Sequence, residues 1–347
     1  MKKRLIAMIL TSILLLGVVG CAGQNKTAST TAPKTEQKSV RIGFPGTKAV
    51  LNGLEGIAQD QRYFDEELEK IGYKVEYVPF AAAGPAVNEA LATKNIDFAA
   101  YGDFPGVVIK SKGIGVSPIA LTSNYWNVTL AVKAGSPIKS VAKLKGKKVA
   151  YTKGTIIHKY LVELLQQNNM TEKDIQSINV STTDATNTLL SGNVDALVFV
   201  DSTIAPLLAS GELKEIASTR NDEKLRAQGV MIGRDDFLKD NPKVPSALVK
   251  ALVRSKDFIA KNPQEALKIW EKSGLTQDSL KLLYGSDTSR YASYFPISFS
   301  QSSIDRLNIL KQFLLEQKII QKDVDITAYV NNEYYKAWLA QGLVKEN

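Results

Sequence analysis

The segment Glu89–Gly113, EALATKNIDFAAYGDFPGVVIKSKG, is written again ninety-eight residues later as Asn187–Gly211, NTLLSGNVDALVFVDSTIAPLLASG. No gap is needed to align them. Leu91 meets Leu189, Asn95 meets Asn193, Asp97 meets Asp195, Tyr101 meets Phe199, Asp103 meets Asp201 and Gly113 meets Gly211. Each copy reads as a helix that stops at Asn95 or at Gly192–Asn193, a short buried strand, and an aspartate able to cap the next helix. A unit written twice in one register predicts two lobes built to one plan.

The surroundings of each copy extend that plan. From Val40, VRIGF and YKVEYVPF read as strands, LNGLEGIAQDQRYFDEELEKIG as one helix, AVNEALATKN as a helix, IDFAAYG as a buried strand and VSPIALTS as another. From Lys148, KKVAYT, IQSINV, VDALVFV and LKEIAST are strands, separated by the helical runs IIHKYLVELLQQNN, TDATNTLLSGN and DSTIAPLLASG. Strands alternating with helices indicate α/β architecture with mainly parallel pairing. VTLAVKAG and GVMIGRDDF are the candidate crossover strands, and the chain after Pro245 is mostly helical. The expected division is residues 40–124 with 229–347 in lobe I and 128–225 in lobe II, around a cleft at the carboxyl ends of the strands.

The N-terminus stands apart. Lys2, Lys3 and Arg4 precede an apolar run from Leu5 to Val19 that ends in VVGCAG. A basic segment before a short apolar run is a secretory signal, and a small residue before Cys21 resembles the bacterial lipoprotein signal. Residues 1–20 are therefore expected to be removed, Cys21 lipidated, and 21–39, rich in Thr, Ser, Gln and Lys, to form a tether with a reach of about 25 Å. Localisation follows: cell membrane, lipid-anchored, on the extracytoplasmic face. Cys21 is the only cysteine, so no internal disulfide is available.

The formal charge of +9 falls to +6 once Lys2, Lys3 and Arg4 are lost. Its densest patch, KSVAKLKGKK, has no interleaved aromatics, which argues for solvated surface rather than nucleic-acid binding. Enzymatic motifs are missing too. One histidine, His158, and no cysteine beyond Cys21 exclude a cysteine–histidine dyad and a two-histidine metal site. There is no G-x-S-x-G elbow and no phosphate loop. No catalytic residue, metal or cofactor is expected.

Anion binding is the chemistry these residues offer. Gly46–Thr47, Gly84–Pro85 and Gly154–Thr155 each follow a strand and are read as opening a helix, whose free N–H groups attract negative charge. One helix terminus contributes about 0.3–1 kcal/mol, while a micromolar site needs about 8 kcal/mol, so several must converge with hydroxyls. Each Gly-Thr pair can also be a plain turn with a cap. Tyr125 and Trp126, at the crossover, read equally as core or as a ligand wall, and His158 as a packed side chain or a contact.

With these residues in view, the chain resembles the solute-binding proteins of ABC importers for aliphatic sulfonates, with their taurine and nitrate relatives. The resemblance runs from about Val40 to Trp338. It is carried by AGPAVNEALATKNIDFAAYGDFP, GSPIKSVAKLKGKKVAYTKG followed by His158, TDATNTLLSGNVDALVFVD and KDVDI. It implies a two-lobed, type II periplasmic-binding-protein-like fold, with two mixed sheets flanked by helices and joined by a hinge. It also implies a monomer that carries a small organic anion to a membrane permease and its ATPase. Ligand contacts are implied at Gly46, Thr47 and Lys48, at Gly84, at Gly102 and Asp103, at Gly154, Thr155 and His158, and at Asp201. Two stretches depart from the family's habit. Ile156 and Ile157 follow Thr155 where small hydroxyl residues are usual, and Val200–Thr203 replaces a Trp-Asp-Pro-Tyr turn. Nitrate, taurine or a thiamine-precursor pyrimidine are alternative ligands. An enzyme of the thiamine-pyrimidine-synthase type is the alternative from another class.

Overall fold

The computed structural model describes residues 37–342 except 182, 331 and 332. The expected signal, Cys21 and nearly all of the tether therefore lie outside the described residues. The first strand, β1 (Lys38–Pro45), begins two residues inside the expected tether, because Lys38 and Ser39 already pair with Tyr73 and Lys74.

Next come α1 (Gly53–Asp60), α2 (Tyr63–Glu69), β2 (Tyr73–Phe80), α3 (Ala83–Ala92), β3 (Phe98–Gly102), α4 (Asp103–Ser111) and β4 (Val116–Trp126). The chain then enters a second series: β5 (Val128–Lys133), β6 (Lys148–Tyr151), α5 (Ile156–Gln167), β7 (Gln176–Asn179), α6 (Ala185–Leu190), β8 (Ala196–Val200), α7 (Asp201–Ala209) and β9 (Leu213–Ser218). It returns through β10 (Ala227–Arg234). The helices α8 (Asp235–Asp240), α9 (Lys243–Lys261), α10 (Pro263–Glu271), α11 (Gln277–Tyr284), α12 (Gln301–Glu316), α13 (Ile326–Val330) and α14 (Glu333–Ala340) follow.

The strands form two mixed five-stranded sheets, ordered β2-β1-β3-β10-β4 and β7-β6-β8-β5-β9. The orders superimpose: β1 answers to β6, β2 to β7, β3 to β8, β10 to β5, and β4 to β9. The α/β class and the mixed sheets are as the sequence suggested. The repeated segment is the central strand of each sheet with its flanking helices, and Asp97 and Asp195 show why its register is kept. Asp97 N–H donates to Arg41 O at 2.9 Å while its carboxylate accepts Arg41 N–H at 2.9 Å. Asp195 does the same with Lys148, at 2.9 and 2.8 Å. Each aspartate locks the central strand to the parallel neighbour that starts beside it, so each fixes which side chains face the core.

Apolar side chains pack on both faces of the first sheet. Leu54, Ile57, Phe64, Leu248 and Trp270 cover one, and Val87, Leu91, Val107, Leu310 and Tyr329 the other. Leu161, Leu165, Leu189, Leu197 and Ile204 are central to the second sheet's core. The two layers also touch each other. Ala205 of α7 joins the first sheet's core, and Val162 of α5 packs with Leu307 and Leu310 of α12.

Several elements differ from the sequence reading. The single helix read over Leu51–Gly72 is broken at Arg62, which adopts φ 57°. The left-handed residue redirects the chain so that Phe64 and Leu68 turn inward. No helix opens at Thr47; residues 46–52 form a loop and α1 begins at Gly53. Asp103 and Asp201 are each the first helical residue rather than the cap, and Gly102 and Val200 occupy the cap positions without a side-chain bond.

Candidate functional site

The two crossovers place the carboxyl ends of the central strands side by side. Gly102, ending β3, pairs with Gly229 near the start of β10, and Trp126, ending β4, pairs with Ala227. Val200, ending β8, pairs with Val128, and Ser218, ending β9, with Thr129. Buried Thr219 ties the crossovers together: it accepts Val128 N–H at 3.0 Å and donates to Asn127 Oδ1 at 3.2 Å. Asn127 O in turn accepts the N–H of Asp201 at 2.9 Å. The boundary between the sheets is thus a compact, hydrogen-bonded hinge with both central turns beside it.

On the first sheet's side, Gly46 donates its N–H to Phe80 O at 3.0 Å, and Thr47 and Lys48 are exposed. Gly84 is buried against α4; a Cβ there would stand 2.9 Å from two carbons of Pro105. Its glycine serves close packing of α3 on α4. Gly102 lies under the indole of Trp126, with only 3.0 Å from a would-be Cβ to the ring. Trp126 is 38% exposed, so part of its ring faces outward at the boundary. Tyr125 stacks on Tyr294 at 4.1 Å, and the Arg226 guanidinium lies over the Tyr125 ring at 4.5 Å. Asp103 is buried, with Oδ2 accepting Gln228 N–H at 3.2 Å. Burial pushes its carboxyl up to about 6, with Lys159 of α5 pulling it back.

On the second side, Gly154 adopts φ 72° and donates its N–H to His158 Nδ1 at 3.3 Å. That bond makes Nδ1 the acceptor, so Nε2 carries the proton it shares with Glu172 at 3.1 Å. His158 is 3% exposed, stacked on Tyr151 at 5.3 Å and edge-on to Phe313 at 6.0 Å. It is a packed residue that shapes the Gly154 turn. Thr155 caps α5 as expected of its type, accepting Ile157 N–H at 3.2 Å, but its hydroxyl proton is spent on Thr152 O at 2.7 Å. The Gly154 N–H and the Thr155 hydroxyl are therefore engaged inside the turn. Asp201 is buried and paired with Arg220, which also holds Glu215, and takes the Thr129 hydroxyl at 2.5 Å.

The structure thus brings Gly102, Asp103, Tyr125, Trp126 and Asp201 to the hinge. Gly84, Thr155 and His158 are committed to local structure. Sequence reading missed Glu55, Lys159, Arg220, Arg226 and Gln228. Gln228 carried a signal, being polar in an otherwise apolar strand. Lys159 pairs with Glu163 at i,i+4, a spacing common on solvated helix faces, yet Lys159 is 3% exposed. Glu55 sits buried in the first turn of α1, its carboxyl pushed up to about 7 by burial, with the Thr122 hydroxyl pulling it back. Two surface cavities lie elsewhere. One of about 410 Å³ runs between α5 and α12, and one of about 240 Å³ is lined by Lys110, Asp323 and Tyr329. None of the candidates lines either. Among the described residues, no three His, Cys, Asp or Glu gather to hold a metal ion, and no helix is long and apolar enough to cross a membrane.

Comparison with known proteins places this geometry. A Bacillus subtilis (strain 168) relative named for aliphatic sulfonate binding is 25% identical over 347 residues, covering 98% of both chains. A solved structure named as the periplasmic sulfonate-binding protein SsuA from Methylobacillus flagellatus KT is 26% identical. It has a TM-score of 0.74 and is matched over 89% of this chain and 97% of that one. The desulfurization enzyme DSZB shares the fold at 14% identity, with a TM-score of 0.70 over 88% and 99% of the chains. The two sheets are thus a type II periplasmic-binding-protein fold. The NMT1/THI5-like profile matches residues 56–266, every strand except β1 together with both crossovers, and the chain belongs to the NMT1/THI5-like family.

Proposed function

We propose that this protein is the extracytoplasmic solute-binding component of an ABC importer. It holds a small organic anion, an alkyl or aryl sulfonate first, between its two sheets and delivers it to a permease driven by an ATPase. The observation that carries this reading is the arrangement at the hinge, where the carboxyl ends of β3 and β8 meet beside two crossings of the chain. Two layers joined in that way can close around a solute. The full-length likeness to relatives named for sulfonate binding supports the ligand class. Arg226 supplies positive charge at the boundary, and Trp126 an apolar wall. The same aromatics favour a heteroaromatic ligand, a thiamine-precursor pyrimidine, as the second reading. The protein is a monomer, anchored through lipid on Cys21 after loss of residues 1–20.

A melting panel of alkanesulfonates, arylsulfonates, taurine, nitrate and aminopyrimidines tests the ligand. A ligand at 100 times its dissociation constant stabilises the fold by about 2.7 kcal/mol, a readable rise in Tm. Sulfonates are expected to give that rise. A rise with pyrimidines alone would replace the anion reading with the second one.

A further inference from the structure

Among the described residues, four buried side-chain oxygens lack a hydrogen-bond partner: the hydroxyls of Tyr77 and Tyr329, and, on neighbouring side chains, Asp103 Oδ1 and Gln228 Oε1. Asp103 is 4% exposed and Gln228 0%. The main-chain N–H of Gln228 donates to Asp103 Oδ2 at 3.2 Å, and the Gln228 carboxamide lies beside the same carboxylate. Gln228 Nε2 donates to Ser303 O at 3.1 Å, which settles which end of the carboxamide bears the orphan oxygen.

The Phe104 N–H and the Gln228 carboxamide lie near the carboxylate and favour its charged form, but neither reaches Oδ1 in hydrogen-bond geometry. Lys159, on the opposite layer, acts on Asp103 through its charge, but its ammonium is held by both oxygens of Glu163 at 2.6 and 2.7 Å. The Tyr329 hydroxyl of α13 meets α4 one turn further on, 3.0 Å from a would-be Cβ on Gly106. It is itself without a partner, so it does not reach the carboxylate. Dehydrated acceptors with no donor are costly to keep, and these two sit where β3 ends and α4 begins, beside the hinge.

We propose that Asp103 Oδ1 and Gln228 Oε1 form an acceptor subsite for an N–H donor on the bound solute, so that the cognate anion carries an amino or amide group. The proposal rests on the boundary between the sheets being the ligand site. A carboxylate in that place repels a second negative group. The oxyanion of the solute must therefore sit away from Asp103, with the amine turned toward it. A plain alkanesulfonate leaves both acceptors unfilled.

Calorimetry on the intact protein with matched pairs tests this. The pairs are 2-aminoethanesulfonate with ethanesulfonate, 2-aminoethylphosphonate with ethylphosphonate, and 3-aminopropanoate with propanoate. The amino member should bind about 10- to 100-fold tighter, the worth of a charged hydrogen bond. Asp103→Asn and Gln228→Met should each cut that ratio by about tenfold. Melting curves show whether each variant has folded, and the second variant carries the test if the first has not. Equal affinity within a binding pair, preference for the unsubstituted member, or a ratio that survives in the folded variants overturns the subsite. If only phosphonates or carboxylates bind and the amine is preferred, the subsite stands and the sulfonate reading falls. If no member of any pair binds, both fall.

Discussion

Asp103 and Asp201 occupy equivalent places in the two sheets, and their carboxylates face different company. Asp201 meets Arg220 and the Thr129 hydroxyl, so its charge is compensated where it is buried. Removing one partner of such a pair leaves an unpaired buried charge. Arg220→Met is expected to lower stability by on the order of 3 kcal/mol in urea unfolding, and adding Asp201→Asn should restore much of it. A single variant as stable as the wild type would show that Asp201 does not depend on Arg220. Glu55 makes a prediction in pH. Its folded pKa, about 7, lies above the ordinary carboxylate value because burial disfavours the charge. The stabilising form is thus the protonated one, fully favourable below the unfolded pKa and lost as pH rises through about 7. Glu55→Gln should therefore gain stability relative to the wild type between pH 5 and pH 8, on the order of 1–3 kcal/mol. A difference that stays constant with pH would place the Glu55 carboxylate in contact with solvent.

At the scale of elements, Gly84 explains how α3 and α4 approach so closely. A methyl group there would overlap Pro105, so Gly84→Ala should force the helices apart and destabilise by about 1–3 kcal/mol. A neutral result would mean that α3 can shift without loss. The elements legible in the sequence are those specified by local pattern. β3 and β8 are continuous apolar runs between a helix stop and an aspartate, and they emerged as buried central strands. Thr155 was legible as the first polar residue before an apolar helix. The break at Arg62 was not, because a left-handed arginine is imposed by inward packing of Phe64 and Leu68 and leaves no local mark. Of the candidate site, the turns could be read but the employment of their donors could not. His158 takes the Gly154 N–H and Thr155 takes the Ile157 N–H, bonds that depend on side-chain direction after folding. Arg220 and Gln228 reach Asp201 and Asp103 across sequence gaps without a period to betray them.

Across the whole molecule, the two layers share a hinge and touch along both flanks, α7 beside α11 and α5 beside α12. In the hinge, the buried hydroxyl of Thr219 bonds one crossover to the other. Thr219→Val keeps the shape and removes both bonds. It should cost about 1–3 kcal/mol and loosen the angle between the layers, read as a larger radius of gyration in solution scattering. An unchanged radius would assign the angle to the flanks. The strand β10 has a further consequence. It lies between β3 and β4 in the first sheet, yet it follows every strand of the second sheet along the chain. A polypeptide emerging N-terminus first from a ribosome or a translocation channel therefore presents β1 to β4 with a gap in their midst. The second sheet, contiguous from Val128 to Ser218, is complete before the gap can be filled. The part made first is finished last, and until Ala227–Arg234 arrives, β3 and β4 are exposed edges open to chaperones, proteases or another nascent copy.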